Sequence, residues 1–228
     1  MSVGRVAVLA SGGGSNLQAL IDHFQDSPAA RVELVIGSRA GIGALERAAR
    51  AGIEAVVVAG PGGLLAELEG RAIDFVVLAG WLSLVPAEVV RRFRGRMLNI
   101  HPALLPAFGG RGMYGARVHR AVIASGARVS GATVHLVDDR YDEGAIVAQW
   151  PVPVFPGDTP EALAARVLAV EHLILPLAVE ALARGEAAQP ATDGPLCFDL
   201  IAAAAPPPSS ARATLAPPTG ADRAPRTP

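Results

Sequence analysis

The sequence predicts an α/β protein built on a doubly wound, mostly parallel sheet with helices on both faces, followed by a disordered C-terminal tail. Two features of the first hundred residues carry that expectation. Short apolar runs alternate strictly with helical patterns, which calls for right-handed crossovers between parallel strands. The runs also lack the polar alternation of a strand with one wet face, so both faces are expected to be covered.

In chain order the strands are RVAVLA (5–10), RVELVIGS (31–38), EAVVVA (54–59), DFVVLAG (74–80) and RMLNI (96–100). Helical stretches lie between them at Leu17 to Asp26, Ala44 to Ala51, Leu64 to Glu69 and Pro86 to Phe93. After residue 106 a glycine-rich loop, FGGRGMYG, leads to a helix over Ala116 to Ser125. ATVHLV (132–137) then alternates, with Thr133, His135 and Val137 on one face. An acidic loop, DDRYDEG, returns the chain through AIVAQWPVPV (145–154), an edge-like strand because Pro151 and Pro153 cannot donate to a ladder. A long helix follows GDTPEAL. Asp158 or Thr159 can cap it, Pro160 suits its first turn, and Pro176 predicts a kink or an early end. From about Ala202 the chain is Pro, Ala, Ser and Thr with almost no large apolar residues, which cannot offset the entropy of ordering. One ordered domain over residues 1–200 and a tail over 201–228 follow.

The formal net charge of -1 gives no electrostatic reason for a nucleic-acid or anionic-membrane partner. All 20 basic residues are Arg, so Schiff-base chemistry and a P-loop lysine are both unavailable. Cys197 stands alone, which excludes an intramolecular disulfide and a multi-Cys zinc site. No ligand spacing suggests a metal. The apolar run Val6 to Ala10 is too short for a secretory core, and no apolar stretch approaches a membrane span, so a soluble, cytoplasmic protein is expected.

VAVLASGGGSNLQALI is a strand, a glycine turn and a helix, which aims backbone N–H groups and a positive helix end at the loop. Leu17 stands where a dinucleotide fingerprint needs its third glycine, and Ser38 and Arg39 replace its acidic residue, which argues against NAD. A phosphate monoester at Gly14, Ser15 and Asn16 fits better. The plainer alternative is a tight turn in which Ser15 or Asn16 only caps the helix.

RMLNIHPALLP ends an apolar strand with Asn99 and His101 on one face, at the carboxyl end where open α/β sheets place ligands. An amide beside an imidazole supplies donors for a developing oxyanion and a group that moves a proton near neutral pH, which suits acyl transfer. A carboxylate from the acidic loop would raise the His101 pKa and orient its ring. Asp138, Asp139, Asp142 and Glu143 all qualify. The competing reading is a core histidine bonded to a carbonyl. His135 reads as a half-buried structural residue, and His119 and His172 are weaker candidates still. In LAGWLSLVPAEV, exposed Trp81, Leu82, Leu84 and Val85 can line a flat aromatic pocket.

Taken together, SGGGSN, LAGW, NIHPALLPAFGGRGMYG, GATVHLVDDRYDEGAIVAQ and PGDTPEALAARVLAVEH resemble the folate-dependent phosphoribosylglycinamide formyltransferases, in unbroken order from about residue 4 to residue 186. The resemblance implies a Rossmann-like formyltransferase fold. It also implies transfer of a formyl group from 10-formyltetrahydrofolate, a co-substrate, to the amine of glycinamide ribonucleotide in purine synthesis. By matching position it makes Asn99, His101 and Asp142 the catalytic set. Gly14, Ser15 and Asn16 match the substrate-phosphate loop, and Glu171 the acid on the ribose hydroxyls. Leu82, Ser83, Leu84 and Val85 match the pterin-binding segment, with Asn99 also facing the folate. No metal, nucleic acid or membrane is implied, and a monomer or homodimer is expected.

Ser83 departs from the basic residue common among relatives, residues 60–72 are compressed where some carry a folate-tail Arg, and Arg111 replaces a frequent Lys. Methionyl-tRNA formyltransferase, formyltetrahydrofolate hydrolase and amino-sugar formyltransferases share the catalytic trio. The slightly negative chain disfavours tRNA. A regulatory domain like the hydrolase's is not expected ahead of the first strand, and a non-catalytic phosphate-sensing module is the remaining rival.

Overall fold

The computed structural model describes residues 3–58 and 63–186. The boundary near residue 200, the 201–228 tail and Cys197 lie outside the described residues, as does part of the compressed segment 60–72. The elements are β1 (Gly4–Ala10), α1 (Ser15–Phe24), β2 (Ala30–Gly37), α2 (Gly43–Arg50), β3 (Glu54–Val57), α3 (Leu64–Gly70) and β4 (Phe75–Leu78). They continue with α4 (Ala87–Arg92), β5 (Met97–His101), α5 (Ala116–Ala124), β6 (Val129–Leu136), β7 (Ile146–Pro153) and α6 (Pro160–Ala183).

One sheet results, in the order β3-β2-β1-β4-β5-β6-β7. The first five strands are parallel, and β6 and β7 add in antiparallel fashion. Chain order reverses between β1 and β4, which opens a crevice at their carboxyl ends. Val6, Val8 and Ala10 pack with α1, α5 and α6 on one face, while Ala7 and Leu9 pack with α3 and α4 on the other. That double covering is why the inner strands read as unbroken apolar runs.

The edges differ from expectation. In β3, Glu54, Ala55 and Val57 are exposed, because β3 is the last strand on its side. β6, read as alternating, is buried on both faces from Ser130 to His135, since β5 and β7 flank it. β7 is the edge its prolines announce.

The α6 helix is capped by Thr159, whose Oγ1 accepts from the Ala162 N–H at 3.2 Å, with Pro160 in the first turn. Asp158 instead pairs with Arg166. The helix does not end early at Pro176 but runs on to Ala183. Contrary to the sequence reading, α6 is long and apolar enough to cross a bilayer, with a mean hydropathy of 1.8. Its apolarity has a local cause. It packs against β6, β7, α1 and α5, burying Leu163, Val167, Ile174 and Leu175.

Gly131 of β6 faces the tightest packing of the sheet. A Cβ there would lie 2.1 Å from the Trp150 carbonyl oxygen and 2.6 Å from Leu104 Cδ2. Gly131→Ala is expected to destabilise the fold by about 1–3 kcal/mol through overpacking, measured by urea unfolding; an unchanged midpoint would contradict this packing.

Candidate active site

A cleft of about 770 Å³ opens at the carboxyl ends of β1, β4 and β5. β5 delivers two of its polar groups by strand alternation: Leu98 and Ile100 enter the core, and Asn99 and His101 face the cleft. The antiparallel pairing of β6 sets Asn99 opposite His135 and His101 opposite Thr133. Thr133 then ties down the turn after His101. Its hydroxyl donates to the Ala103 carbonyl (2.6 Å) and accepts from the Leu105 N–H (3.0 Å).

The His101 ring is 3 % exposed. Its Nε2 lies 2.9 Å from the Phe108 carbonyl oxygen, so that nitrogen carries the proton and donates. Phe108 has φ 57°, a left-handed conformation costly for an aromatic residue, and its carbonyl is the one that receives this bond. Nδ1 lies 3.5 Å from Asp142 Oδ2. Of the four acidic candidates, Asp142 is therefore the one beside the histidine. It too has a positive φ, 58°, which suits an Asp in a tight loop. A Cβ on Gly144 would come within 1.7 Å of the Leu136 carbonyl oxygen, so the Asp-x-Gly loop closes only with glycine there.

Four groups surround the Asp142 carboxylate, two of them donors. The Gly110 N–H donates at 2.9 Å and the Asn99 amide at 3.4 Å, while His101 and His135 each lie 3.5 Å away. His135, read from sequence as half-buried and structural, is 2 % exposed and belongs to this cluster. Its Nδ1 donates to the Leu136 carbonyl (2.9 Å), which leaves Nε2 to accept from Asn99 Nδ2 (2.9 Å). Only tertiary pairing reveals it, although its place two residues from Thr133 on a strand next to β5 was visible.

Burial alone would raise the Asp142 carboxyl, but the adjoining His135 and His101 imidazoles and the Gly110 N–H outweigh it and hold the group below its ordinary range. For His101 the balance falls the other way. Sequence reasoning expects the carboxylate to raise its pKa; burial depresses it more than Asp142 and the Phe108 carbonyl raise it, and the net shift is downward. At neutral pH the free site thus pairs an ionised Asp142 with a neutral His101. The imidazolium charge that helps hold Asp142 down is present only below the His101 titration.

At the other end of the cleft, Gly14 (φ 75°) is the N-cap of α1 and no side chain caps the helix, so neither Ser15 nor Asn16 does so. Asn16 instead donates to Glu171 Oε2 of α6 at 2.7 Å, and its own Oδ1 is buried without a protein partner. Burial raises the Glu171 carboxyl, the Asn16 bond opposing. Ser11, Gly12, Asn16 and Glu171 line the cleft; Gly14 and Ser15 are not among its lining residues. Leu82 to Val85 also line it, Leu82 and Leu84 both 54 % exposed. Trp81 is half-buried and Val85 buried, so the exposed apolar wall is narrower than the sequence suggests. Among the described residues no group of His, Cys, Asp and Glu has a metal-holding arrangement.

Two pH effects follow. Asp142→Asn removes the charge that opposes burial, so His101 is expected to titrate at a still lower pH, read from its ring resonances by NMR; an upward move would contradict the geometry. Because the folded His101 is harder to protonate than the unfolded one, the stability it contributes is complete above pH 6.5 and is lost as pH falls through its lower folded value. Asp142 acts in the same sense below 3.8. Urea midpoints are expected to fall between about pH 7.5 and about pH 5, and a rise would overturn the assignment.

Residues 4–179 match the family model described as formyl transferase. The chain is 44 % identical over 188 residues to a chloroplastic phosphoribosylglycinamide formyltransferase of Vigna unguiculata, covering 78 % of this chain and 60 % of that protein. It is 46 % identical over 179 residues to the Arabidopsis thaliana protein of the same name, covering 74 % and 61 %. It thus spans about 60 % of the length of these relatives. The crystal structure of glycinamide ribonucleotide transformylase 1 from Symbiobacterium toebii superposes with a TM-score of 0.75 at 41 % identity, over 80 % of this chain and 89 % of that one. The chain, on the match over residues 4–179, belongs to the formyl transferase family.

Proposed function

We propose that the protein transfers the formyl group of 10-formyltetrahydrofolate to the amine of glycinamide ribonucleotide, a step of purine synthesis, using Asn99, His101 and Asp142. The observation that carries this reading is their meeting in one cleft: an amide, a neutral imidazole and an ionised carboxylate, drawn from β5 and the loop after β6. The names of the relatives agree with it.

The amine attacks the formyl carbon, a C–N bond forms, and the carbonyl oxygen takes the charge. Asn99 can donate to that oxygen once its long 3.4 Å contact with Asp142 gives way, the bond to His135 keeping the amide aimed. The attacking amine must lose a proton and the departing folate nitrogen must gain one. Neutral His101, with its lone pair on Nδ1, takes the first and returns it to the second. In between it is an imidazolium, and Asp142 is the counter-charge that makes that state accessible in a buried site. Leu82, Ser83, Leu84 and Val85 receive the pterin, and the loop from Ser11 to Asn16 with Glu171 receives the ribose phosphate. Such substrates need neither metal nor nucleic acid. We assign the activity to a soluble, cytoplasmic domain over residues 1–200, acting as a monomer or homodimer, with 201–228 a tail.

Product formation from 10-formyltetrahydrofolate and glycinamide ribonucleotide tests the reading. Wild type is expected to be active, and His101→Ala, Asn99→Ala and Asp142→Asn each to lose about 10²–10⁴-fold in kcat. Formate released without the ribonucleotide would mark a hydrolase, and equal rates for wild type and His101→Ala would remove the histidine from the mechanism.

A further inference from the structure

The glycine loop is held from behind by α2. The Ala44 N–H donates to the Gly12 carbonyl at 3.1 Å, and Arg47 Nε donates to the Gly13 carbonyl at 2.9 Å. Arg47 is itself steadied by α1, its Nη1 donating to Gln18 Oε1 at 3.1 Å. Contact is close enough that side chains are excluded on both sides: a Cβ on Gly14 would lie 2.7 Å from Ala44 Cα, and one on Gly43 would lie 3.0 Å from the Gly13 carbonyl oxygen.

The Gly13 carbonyl and the Gly14 N–H belong to one planar peptide, and in a trans peptide they point in opposite directions. A guanidinium on the carbonyl therefore turns the N–H toward the opposite side of the loop and polarises it into a stronger donor. The next N–H groups are those of the first turn of α1, which have no acceptor within the helix.

From this geometry we infer that Arg47 is a positioning residue for the anionic end of the substrate, setting the affinity of the Ser11–Asn16 loop for a phosphate monoester without touching the formyl-transfer centre. The inference rests on the reading of that loop as the substrate's phosphate site. It separates two properties that a general loss of fold would move together, affinity for the ribonucleotide on one side and turnover and folate affinity on the other.

The test compares wild type, Arg47→Gln and Arg47→Lys. Arg47→Gln is expected to raise KM for glycinamide ribonucleotide about tenfold, as loss of one charge-assisted hydrogen bond does, with kcat, KM for 10-formyltetrahydrofolate and thermal midpoint within about twofold or a few degrees of wild type. Arg47→Lys, which keeps a charged donor, should recover most of the loss. Calorimetric affinity for ribose 5-phosphate, which needs no turnover, should follow the same order. Unchanged phosphate affinity in Arg47→Gln overturns the role given to Arg47, as does an equal loss of folate affinity and stability, or a wild type without affinity for the phosphate. A wild type that binds ribose 5-phosphate and transfers no formyl group overturns the assigned reaction instead.

Discussion

The arrangement of this site depends on keeping one half-buried carboxylate ionised. Asp142 sits on a loop, yet its oxygens are met by a backbone N–H from the 106–115 segment, an amide from β5 and imidazoles from β5 and β6. No single contact is short enough to do this alone; three of the four lie at 3.4–3.5 Å. Together they outweigh the desolvation that would otherwise protonate the group. Without the charge, His101 would have no counter-ion for its cationic state, and the two loops would lose the acceptor that joins them.

The sheet supplies those partners by changing direction. Through β5 every strand is parallel, and the carboxyl ends of β1, β4 and β5 open on the cleft. The antiparallel β6 then returns across the same rim, so His135 lies opposite Asn99 in register and Asp142 emerges a few residues later. The register of β6 against β5, which sets His135 beside Asn99, therefore builds the site as well as the sheet.

Much of this was legible in the sequence, for physical reasons. The five apolar runs gave β1 to β5 within a few residues because strands buried on both faces cannot carry polar groups, and N-x-H placed Asn99 and His101 together because side chains alternate along a strand. Edge position was less legible: the apolar run of β3 looks like an inner strand and becomes an edge only through sheet order. The choice among Asp138, Asp139, Asp142 and Glu143 needed the positive φ at Asp142 and the glycine at 144, which no local pattern of charge encodes. His135 looks half-buried from alternation alone; its burial comes from lying between β5 and β7, which the order of the sheet sets. At His101 the carboxylate does raise the pKa as its type implies, and burial outweighs it. A neighbouring charge can be read from residue types, whereas the depth of burial that outweighs it cannot.

Two carboxyl groups of the cleft, a half-buried Asp142 and a buried Glu171, sit in opposite environments. Asp142 has several donors and is held below its ordinary range; Glu171, 7 % exposed, has the Asn16 amide as its side-chain partner and is pushed upward. Environment, rather than residue type, pushes the pair apart, as expected where one acid must stay charged and the other must exchange hydrogen bonds. In the proposed reaction, ligand hydroxyls meeting Glu171 would restore the solvation that burial removed, while the orphaned Asn16 Oδ1 gains a donor. Asp142 needs no such help from the ligand, since its partners are already in place. On the proposed reading, substrate would complete the hydrogen bonding at the α1–α6 end of the cleft, whereas the groups around Asp142 already stand together in the free protein.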